Sequence, residues 1–535
     1  MLSFDALNYP YASRRNVVYA KRGMVATSQP LAAQAGLQVL QAGGNAIDAA
    51  IATAAALTVV EPSANGIGGD AFALVWHQGK LHGLNASGPA PQAMTLEKLT
   101  AQGLTEVPKY GPLPVTVPGT PAAWAALAQR FGRMPLTRSM AGAIELAQDG
   151  FPLSPSVAFA WQQATKVFRQ QLKGDHFKSW FDTFAPERAP LAGEIWRSSA
   201  HAQTLQSIAE TKAESFYRGP LAERIASCVQ SAGGYLSTQD LADFQVDWCD
   251  PISVNYRGYD VWEIPPNGHG LVALMALNIL KGFEFTDRDA LLTHHRQIEA
   301  IKLAFADGFA HIADPAHMRV SVADLLSESY AQERRALIGE HASLPLPGDP
   351  ARGGTVYLST ADSEGNMVSL IQSKYMGFGS GLVVPGTGIA LHNRGNNFSL
   401  VADHPNCLAP GKRPYHTIIP GFLTKDGQAV GPFGVMGGFM QPQGHVQMVM
   451  NTVDFGLNPQ ASLDAPRWEW EAGKRVNIER STPEHLFHGL ARLGHDVTWS
   501  NNRIAFGRGQ IIWRNADGVL CGGTEPRTDG SIAAW

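Results

Sequence analysis

The chain has 535 residues, of which 44% are hydrophobic and 16% are charged, and its formal net charge at pH 7 is -4. This composition is typical of a compact soluble protein, the length allows about three or four domains, and the near-neutral charge gives no reason to expect nucleic acid or an anionic membrane as a partner. The cysteines are widely spaced, at Cys228, Cys249, Cys407 and Cys521, and predict neither a disulfide framework nor a zinc site.

The N-terminal segment has no apolar run of the kind found in secretory signals. Asp5, Arg14 and Arg15 all lie within it. The most apolar helix-like stretch, Ala46 to Val60, contains Asp48 and is too short to span a bilayer. We therefore expect a cytoplasmic protein without a membrane partner.

The first part of the chain alternates strand-like and helix-like patterns. Ala71–Trp76 is a candidate for a buried strand, whereas residues 160–200 show no clear periodicity and receive no assignment. Apolar periodicity predicts helices over Pro30–Leu40, Asp48–Val60, Pro121–Phe131, Ser139–Gln148, Leu221–Ser231 and Leu291–Ile312.

The second part of the chain is predicted to be rich in strands. They extend from Thr355 to Gln441-Pro442, where a helix begins that runs to about Phe455, and the C-terminal residues are again strand-like. Helices followed by antiparallel strands and further helix indicate strands that pack between helical layers.

The clearest chemical signal is a pair of glycines that runs into a threonine. Gly353 and Gly354 precede Thr355, which opens a strand-like run. A threonine hydroxyl is a poor nucleophile at neutral pH and needs an adjacent base. If the chain is cut before Thr355, the new α-amine, with a pKa of about 8, lies on the same residue and can accept the hydroxyl proton. The pattern predicts a self-cleaving enzyme with an N-terminal threonine catalyst; an ordinary loop ending is the alternative.

Several different short motifs follow one another along nearly the whole chain, at Gly43–Ala50, Gly66–Asp70, Val117–Pro121, Tyr256–Tyr259, Pro265-Pro266, Ala304–Asp307 and Asp529-Gly530. Together they resemble the γ-glutamyltranspeptidase family of N-terminal-nucleophile hydrolases. The resemblance implies an α+β fold, the four-layer αββα sandwich, made as a proenzyme. It also implies cleavage into a large chain, residues 1–354, and a small chain, residues 355–535, which form a heterodimer and one sandwich; a further dimerisation stays open.

The resemblance assigns roles to residues of this chain. Thr355 matches the family nucleophile, cleavage falls between Gly354 and Thr355, and Ser373 matches a threonine that hydrogen-bonds the nucleophile; an ordinary strand serine is the alternative. Gly437 and Gly438 match the glycine pair of the oxyanion hole. Backbone N–H groups just before a helix can point at a developing oxyanion, although an isolated glycine pair would be a turn. No cofactor is expected.

The substrate pocket departs from the family pattern. The family arginine that holds the γ-glutamyl α-carboxylate falls at or near Ser87, where no basic residue stands. Tyr375 aligns with an amine-binding asparagine and Asn397 with an acidic residue, while His416 and Thr417 align with carboxylate-binding serines. Because each charge-assisted contact is worth about 1.5–3 kcal/mol, an amino-acid substrate should bind more weakly here.

A new arginine, Arg394, stands where transpeptidases have a neutral or acidic residue. We therefore expect a small amide that bears a carboxylate but no α-amino group, with Arg394, and His416 as a second candidate, binding the carboxylate. A surface role for Arg394 is the alternative. The altered pocket is similar to that of the family's oxamate amidohydrolases, which implies hydrolysis of oxamate to oxalate and ammonia.

Other functions stay open on the sequence alone. One is a glutathione hydrolase or γ-glutamyltransferase with unfamiliar substrate contacts, and a second is a cephalosporin-type acylase. A third is an uncleaved, non-catalytic relative, for which Tyr357 in place of a histidine beside the nucleophile leaves room. His294, His295 and Glu299 resemble metal ligands on one helix, but no third ligand motif is found nearby, and we expect no metal.

Overall fold

The computed structural model describes residues 10–12, 15–345 and 354–535. Expectations that concern Asp5, Arg14 or Gly353 lie outside the described residues.

The strands are β1 (Val18–Ala20), β2 (Gly23–Thr27), β3 (Asp70–His77), β4 (Lys80–Ala86), β5 (Phe151–Pro152), β6 (Ile195–Trp196), β7 (Asp247–Cys249), β8 (Ile252–Tyr256), β9 (Tyr259–Glu263), β10 (Gly354–Asp362), β11 (Met367–Tyr375), β12 (Gly421–Lys425), β13 (Gln428–Met436), β14 (Trp468–Ala472), β15 (Arg475–Glu479), β16 (Asp496–Ser500), β17 (Arg508–Arg514), β18 (Leu520–Thr524) and β19 (Ser531–Ala534).

The helices are α1 (Pro30–Gln41), α2 (Ala46–Val60), α3 (Leu96–Thr100), α4 (Thr120–Phe131), α5 (Leu136–Ser139), α6 (Ala141–Asp149), α7 (Pro155–Gln171), α8 (Lys178–Phe184), α9 (Ser199–Thr211), α10 (Glu214–Tyr217), α11 (Pro220–Ser231), α12 (Thr238–Ala242), α13 (Gly270–Leu280), α14 (Leu291–His311), α15 (Val322–Leu325), α16 (Glu328–Arg335), α17 (Met440–Val453), α18 (Pro459–Asp464) and α19 (Glu484–Arg492). Short 3₁₀ helices are η1 (Asp175–Phe177), η2 (Pro315–His317), η3 (Arg394–Asn397) and η4 (Arg503–Phe506).

Two antiparallel sheets form the centre of the described chain. One has the strand order β1-β18-β17-β13-β12-β9-β8 and the other β19-β2-β10-β11-β3-β4-β7. Each sheet therefore contains strands from both sides of position 354. Helices α1 and α2 cover the second sheet, α13 and α17 cover the first, and α14 packs on α13 and α17. The predicted α+β fold, a four-layer αββα sandwich, is confirmed.

Helix α2 shows why the local sequence folds as it does. The Asn45 side chain accepts the N–H groups of Ile47 and Asp48, and the Asp48 carboxylate accepts the N–H of Asn45. This capping box starts the helix at Ala46, two residues before the predicted start. All its side chains are buried, as expected of a helix between sheet and outer helices. The Ala46 N–H also donates to Asp362 of β10 at 2.9 Å.

Most predicted helices are confirmed, but two predictions need correction. The helix predicted over Ser139–Gln148 is divided, because α5 ends at Ser139 and α6 begins at Ala141. Strands do not predominate between β11 and β12, where the chain forms η3 and isolated bridges. The reason is a series of glycines with positive φ, a conformation that regular strands do not use, at Gly377, Gly379, Gly381, Gly386 and Gly388.

The unassigned residues 160–200 form α7, α8 and β6, and their aromatic side chains enclose Phe378. The ring centroid of Phe378 lies 4.8 Å from that of Phe184, 5.1 Å from that of Trp180 and 5.5 Å from that of Trp161. These residues therefore anchor the glycine-rich segment after β11. These aromatic residues are spaced so that they form a cluster and do not line one face of a helix. The sequence therefore shows no helical periodicity here.

None of the helices in the described ranges has both the length and the apolarity that crossing a membrane requires. The cytoplasmic location stays a prediction.

The two sheets approach each other closely at Gly434 of β13. A Cβ added there would lie 2.5 Å from Cε2 of Tyr357, whose hydroxyl is held by Ser369 at 2.7 Å and by Ser359 at 2.9 Å. Because the ring cannot move without breaking these hydrogen bonds, we expect Gly434→Ala to lower the free energy of unfolding by about 1–3 kcal/mol, which thermal denaturation would detect.

Gly142→Ala is the matched control for that substitution. Gly142 lies in α6, and its added Cβ would meet Ala35 at 3.5 Å, an ordinary contact. Because alanine favours helix over glycine by up to about 1 kcal/mol, stability should stay equal or rise. Equal stability of Gly434→Ala and the wild type would contradict the close packing of the two sheets.

Candidate active site

Thr355 lies at an irregularity in the pairing of β10 with β11. Gly354 pairs with Tyr375 and Val356 pairs with Gln372, so one residue of β10 faces two residues of β11. Such a bulge redirects a side chain and is common beside active sites. Tyr375 closes it with φ of 75°, a conformation that costs a non-glycine residue energy and persists where the surroundings enforce it.

The first residues of β10 extend beyond strand β2. The register pairs Leu358 with Thr27, the last residue of β2. In the described chain, the stretch of β10 before Leu358 therefore has a strand partner only on the β11 side. On the other side, the Thr27 hydroxyl donates to the Tyr357 carbonyl at 3.2 Å. Within the described residues, the backbone next to Thr355 therefore has no strand partner on the β2 side.

The Thr355 side chain is 1% exposed, and its hydroxyl has two polar neighbours. It donates to Ser373 Oγ at 3.2 Å, and Gln441 Nε2 donates to it at 3.4 Å. Ser373 Oγ also accepts the N–H of Tyr375 at 2.8 Å. The structure thus places Ser373 where the sequence predicted it, while its catalytic role stays a prediction.

The glycine pair forms the turn between β13 and α17. Gly437 has φ of 141° and Gly438 has φ of 61°, conformations that side chains rarely adopt. The Gly437 carbonyl accepts the N–H of Met440 and the Gly438 carbonyl accepts that of Gln441. Because Gln441 contacts the Thr355 hydroxyl, this turn lies beside Thr355. Its function as an oxyanion hole stays a prediction.

Arg394 is completely buried, which excludes the surface role considered above. Its Nη1 donates to Thr417 Oγ1 at 2.7 Å, and its guanidinium lies 4.4 Å from the centre of the Tyr375 ring. Nε and Nη2 have no hydrogen-bond partner among the described residues. Burial lowers the pKa of Arg394 to about 10, so it remains a cation at neutral pH.

A buried carboxylate, Asp70, balances this cation. Asp70 Oδ2 lies 4.0 Å from Arg394 Nε, 2.9 Å from His416 Nε2 and 3.3 Å from His392 Nδ1. Burial alone would raise the pKa of Asp70, but its interactions with His392 and His416 outweigh burial and hold the pKa well below its usual range. Asp70 is therefore ionised, and the pair with Arg394 meets the requirement that buried charges be compensated.

Both ring nitrogens of His416 have protein partners. Nε2 donates to Asp70, and Nδ1 accepts the N–H of Ile418 at 3.3 Å. Burial, reinforced by the charge of Arg394, lowers the pKa of His416 to about 3. His416 is thus neutral at pH 7, and the structure places it as the residue that orients Asp70.

The remaining predicted pocket residues are neutral or already bonded. The Ser87 hydroxyl donates to Asn85 Oδ1 at 2.7 Å, and Asn397 Nδ2 donates to the Tyr415 carbonyl at 2.9 Å. A basic residue does reach this position from elsewhere in the chain, because Arg413 Nε donates to the Ser87 carbonyl at 3.1 Å.

Sequence reasoning missed Asp70, His392 and Gln441 as members of the site. In the sequence, Asp70 ends a glycine motif and Gln441 lies at a predicted helix start. A charged residue that directly precedes a buried apolar strand, as Asp70 does, was an available signal. For His392 and Gln441, the contacts depend on chain segments far away in sequence.

A second polar cluster corrects the reading of the histidines on α14. His295, Glu299 and His495 bring ligand atoms within 4.8 Å of one another, so a third candidate ligand does lie nearby in space. However, Lys302 Nζ is 2.6 Å from Glu299 Oε1, and His295 Nδ1 is 2.9 Å from His495 Nε2. A lysine cation bonded to the same carboxylate disfavours a metal ion there.

The fold and the buried threonine at the start of β10 define the class of an N-terminal-nucleophile hydrolase. A family model described as Gamma-glutamyltranspeptidase matches residues 32–535, and the chain belongs to this family of amide hydrolases. The chain is similar to the oxamate amidohydrolase proenzyme of Klebsiella pneumoniae subsp. pneumoniae, with 36% identity over 96% of this chain and 98% of the relative.

Two further relatives support the same class. The glutathione hydrolase-like YwrD proenzyme of Bacillus subtilis is 34% identical over 96% of this chain and 98% of its own. A solved structure, the cephalosporin acylase from Bacillus halodurans, is 62% identical, covers 99% of both chains and superposes with a TM-score of 0.96.

The neutral state of His416 predicts a specific sensitivity to acid. Its pKa is about 3 in the folded protein and about 6.5 in an unfolded chain. Between these values the unfolded state binds the extra proton, so stability falls as the pH drops, by at most about 1.4 kcal/mol per pH unit for this group. We expect His416→Gln, which keeps a donor toward Asp70, to show a shallower loss of thermal stability between pH 6.5 and 4.5.

His317→Gln is the control, since the His317 side chain is 45% exposed, and it should reproduce the wild-type pH dependence. Other buried histidines, His201 and His495, also have pKa values lowered to about 3 by burial, so the slope should decrease and not vanish. An unchanged slope in His416→Gln would contradict the neutral assignment.

Proposed function

We infer that this protein is a self-processing amidohydrolase that uses Thr355 as its N-terminal nucleophile on a small amide with a carboxylate and no α-amino group. Oxamate, which would give oxalate and ammonia, is the substrate to test first. The observation that carries this proposal is the buried Arg394, whose Nε and Nη2 have no hydrogen-bond partner in the described chain. Buried polar groups are nearly always hydrogen-bonded, so a ligand that supplies two acceptors fits here.

Maturation would begin with attack of the Thr355 hydroxyl oxygen on the Gly354 carbonyl carbon; the bond from that carbon to the Thr355 nitrogen would break, and the hydroxyl proton would pass to this nitrogen. The resulting ester would be hydrolysed by water, which leaves residues 1–354 and 355–535. The two products would stay together, because each central sheet contains strands from both. The small chain would then begin with a residue that carries both the nucleophile and the amine that accepts its proton.

In catalysis, Oγ1 of Thr355 would attack the amide carbon while the α-amine takes its proton. Backbone N–H groups of Gly437 and Gly438 would stabilise the oxyanion, each worth about 3–4 kcal/mol in the transition state. Ammonia would leave with the proton from the amine, and water would hydrolyse the acyl ester. Ser373, 3.2 Å from the hydroxyl, would orient it.

The charges around Arg394 favour a substrate with a carboxylate and no α-amino group over an amino acid. Nε and Nη2 form one edge of the Arg394 guanidinium, the geometry that binds both oxygens of a carboxylate. Thr417 holds the other side through Nη1, and the Tyr375 ring covers the guanidinium. Asp70 already interacts with two histidines and so offers no free carboxylate for an α-ammonium group.

A second candidate is an acylase, which the relative of 62% identity favours. In that case the substrate carboxylate would lie at the far end of the acyl chain, or Arg394 would have a role other than binding a carboxylate. The two candidates differ in the distance between the scissile amide and the carboxylate, which a substrate series measures.

The substrate series consists of oxamate, malonamate, succinamate and glutaramate, each tested for ammonia release. Acetamide tests the need for a carboxylate, and glutamine and a γ-glutamyl anilide test the need for an α-amino group. We expect oxamate to have the highest kcat/KM. A maximum at glutaramate would favour the acylase, and rapid cleavage of the γ-glutamyl anilide with inert oxamate would contradict the proposal.

Arg394→Gln tests the carboxylate clamp. Because each charge-assisted contact is worth about 1.5–3 kcal/mol, kcat/KM for the best carboxylate amide should fall by about 10–150-fold, while that for acetamide should change little. Arg413→Gln is the matched control, since Arg413 already contacts the Ser87 carbonyl and Asp247. Equal losses of kcat/KM on acetamide and oxamate would show that Arg394 only balances the charge of Asp70. A larger loss in Arg413→Gln would show that Arg413 binds the substrate carboxylate.

A further inference from the structure

The side chain of Gln441 contacts the hydroxyl of Thr355. Gln441 follows the turn formed by Gly437 and Gly438. Gln441 is the second residue of α17 and is fully buried. Its Nε2 donates to Thr355 Oγ1 at 3.4 Å, and its backbone N–H donates to the Gly438 carbonyl at 3.1 Å. One residue therefore connects the nucleophile to the turn that precedes α17.

The orientation of the Gln441 amide is fixed by a second contact. Its Oε1 accepts the N–H of Ile419 at 3.0 Å, and only the oxygen of an amide side chain can accept a hydrogen bond. The NH₂ group must then face Thr355. Ile419 follows His416 and Thr417 closely in sequence. The segment that contacts Asp70 and Arg394 therefore also positions the NH₂ group of Gln441.

We propose that Gln441 is a catalytic hydrogen-bond donor to Thr355 Oγ1, both in self-cleavage and in amide hydrolysis. The Thr355 hydroxyl donates its own proton to Ser373, so a lone pair of Oγ1 receives the Gln441 N–H. This arrangement stabilises negative charge on the oxygen as its proton leaves. A distance of 3.4 Å is long for a ground state, and catalytic hydrogen bonds often tighten as charge develops.

The donor acts twice in each turnover and transfers no proton itself. As the Oγ1–carbon bond forms, the hydroxyl proton passes to the α-amine, and the carbon–nitrogen bond breaks when that proton reaches the leaving nitrogen. Water then adds to the acyl carbon and gives a proton to the α-amine. The Oγ1–carbon bond breaks, and the proton returns to Oγ1. Gln441 stabilises Oγ1 before it attacks and again as it departs.

Gln441→Glu and Gln441→Met test the proposal. Ionised glutamate keeps the shape and an acceptor for the Ile419 N–H but loses the donor, and methionine keeps the length without a polar group. Removal of a donor to a developing oxyanion costs about 10²–10³-fold in rate. We expect kcat to fall by about 100-fold in both variants with KM changed by less than about threefold, and precursor self-cleavage to slow in parallel.

Gln443→Met is the matched control. Gln443 is an equally buried glutamine on the same helix, and its side chain bonds to the Phe439 and Trp470 backbones. Loss of those bonds should lower the thermal midpoint and leave kcat per folded enzyme and the cleavage rate within about threefold of wild type. Self-cleavage needs no added substrate, so this readout is independent of the substrate assignment.

Rates are normalised to folded protein, measured by circular dichroism, so that unfolding is not counted as lost catalysis. Should the methionine variant not fold, the isosteric glutamate variant decides. If a folded Gln441 variant keeps kcat and self-cleavage within threefold of wild type, or if Gln443→Met loses both as strongly, then the proposal is wrong and Gln441 only packs the helix.

Discussion

The bulge between β10 and β11 is the constraint on which the rest of the site depends. It places Thr355 opposite two residues of β11 and aims a buried hydroxyl at Ser373 and Gln441. The start of β10 also extends past β2, which leaves one side of the backbone available. A strand in regular register would point its side chains alternately to the two faces of the sheet. The irregularity therefore gives Thr355 surroundings that fit its proposed role as the nucleophile.

The second constraint is electrostatic. Arg394 and Asp70 both have no exposed side-chain surface, and an isolated buried charge would cost several kcal/mol. The histidines His416 and His392 complete the partners of Asp70, and this leaves Arg394 with one satisfied and two unsatisfied nitrogens. The charges of Arg394 and Asp70 thus compensate each other, and the proposed anionic ligand would complete the hydrogen bonds of the arginine.

Local sequence signals predicted the framework and a strand that begins at Thr355, while the role of Thr355 as the nucleophile stays a prediction. The helix predicted over Asp48–Val60 corresponds to α2, which begins two residues earlier because Asn45 caps it, and Gly354 and Thr355 begin β10. The same signals could not place Arg394, because the segment after β11 is irregular and is held by aromatic residues of α7 and α8. Nor could they pair His295 with His495 or Thr355 with Gln441, since both contacts join distant parts of the chain. Periodicity reports which face of an element is buried, whereas site geometry depends on long-range packing.

The proposed catalysis by Thr355 depends on scission of the backbone before this residue. Intact mass spectrometry of purified, active enzyme, with N-terminal sequencing of the smaller product, tests this most directly. The expected result is two polypeptides, residues 1–354 and 355–535, with threonine first in the smaller, and one uncut polypeptide without activity for Thr355→Ala. Active enzyme that consists of a single intact polypeptide, or a new N-terminus at any other residue, would contradict the account.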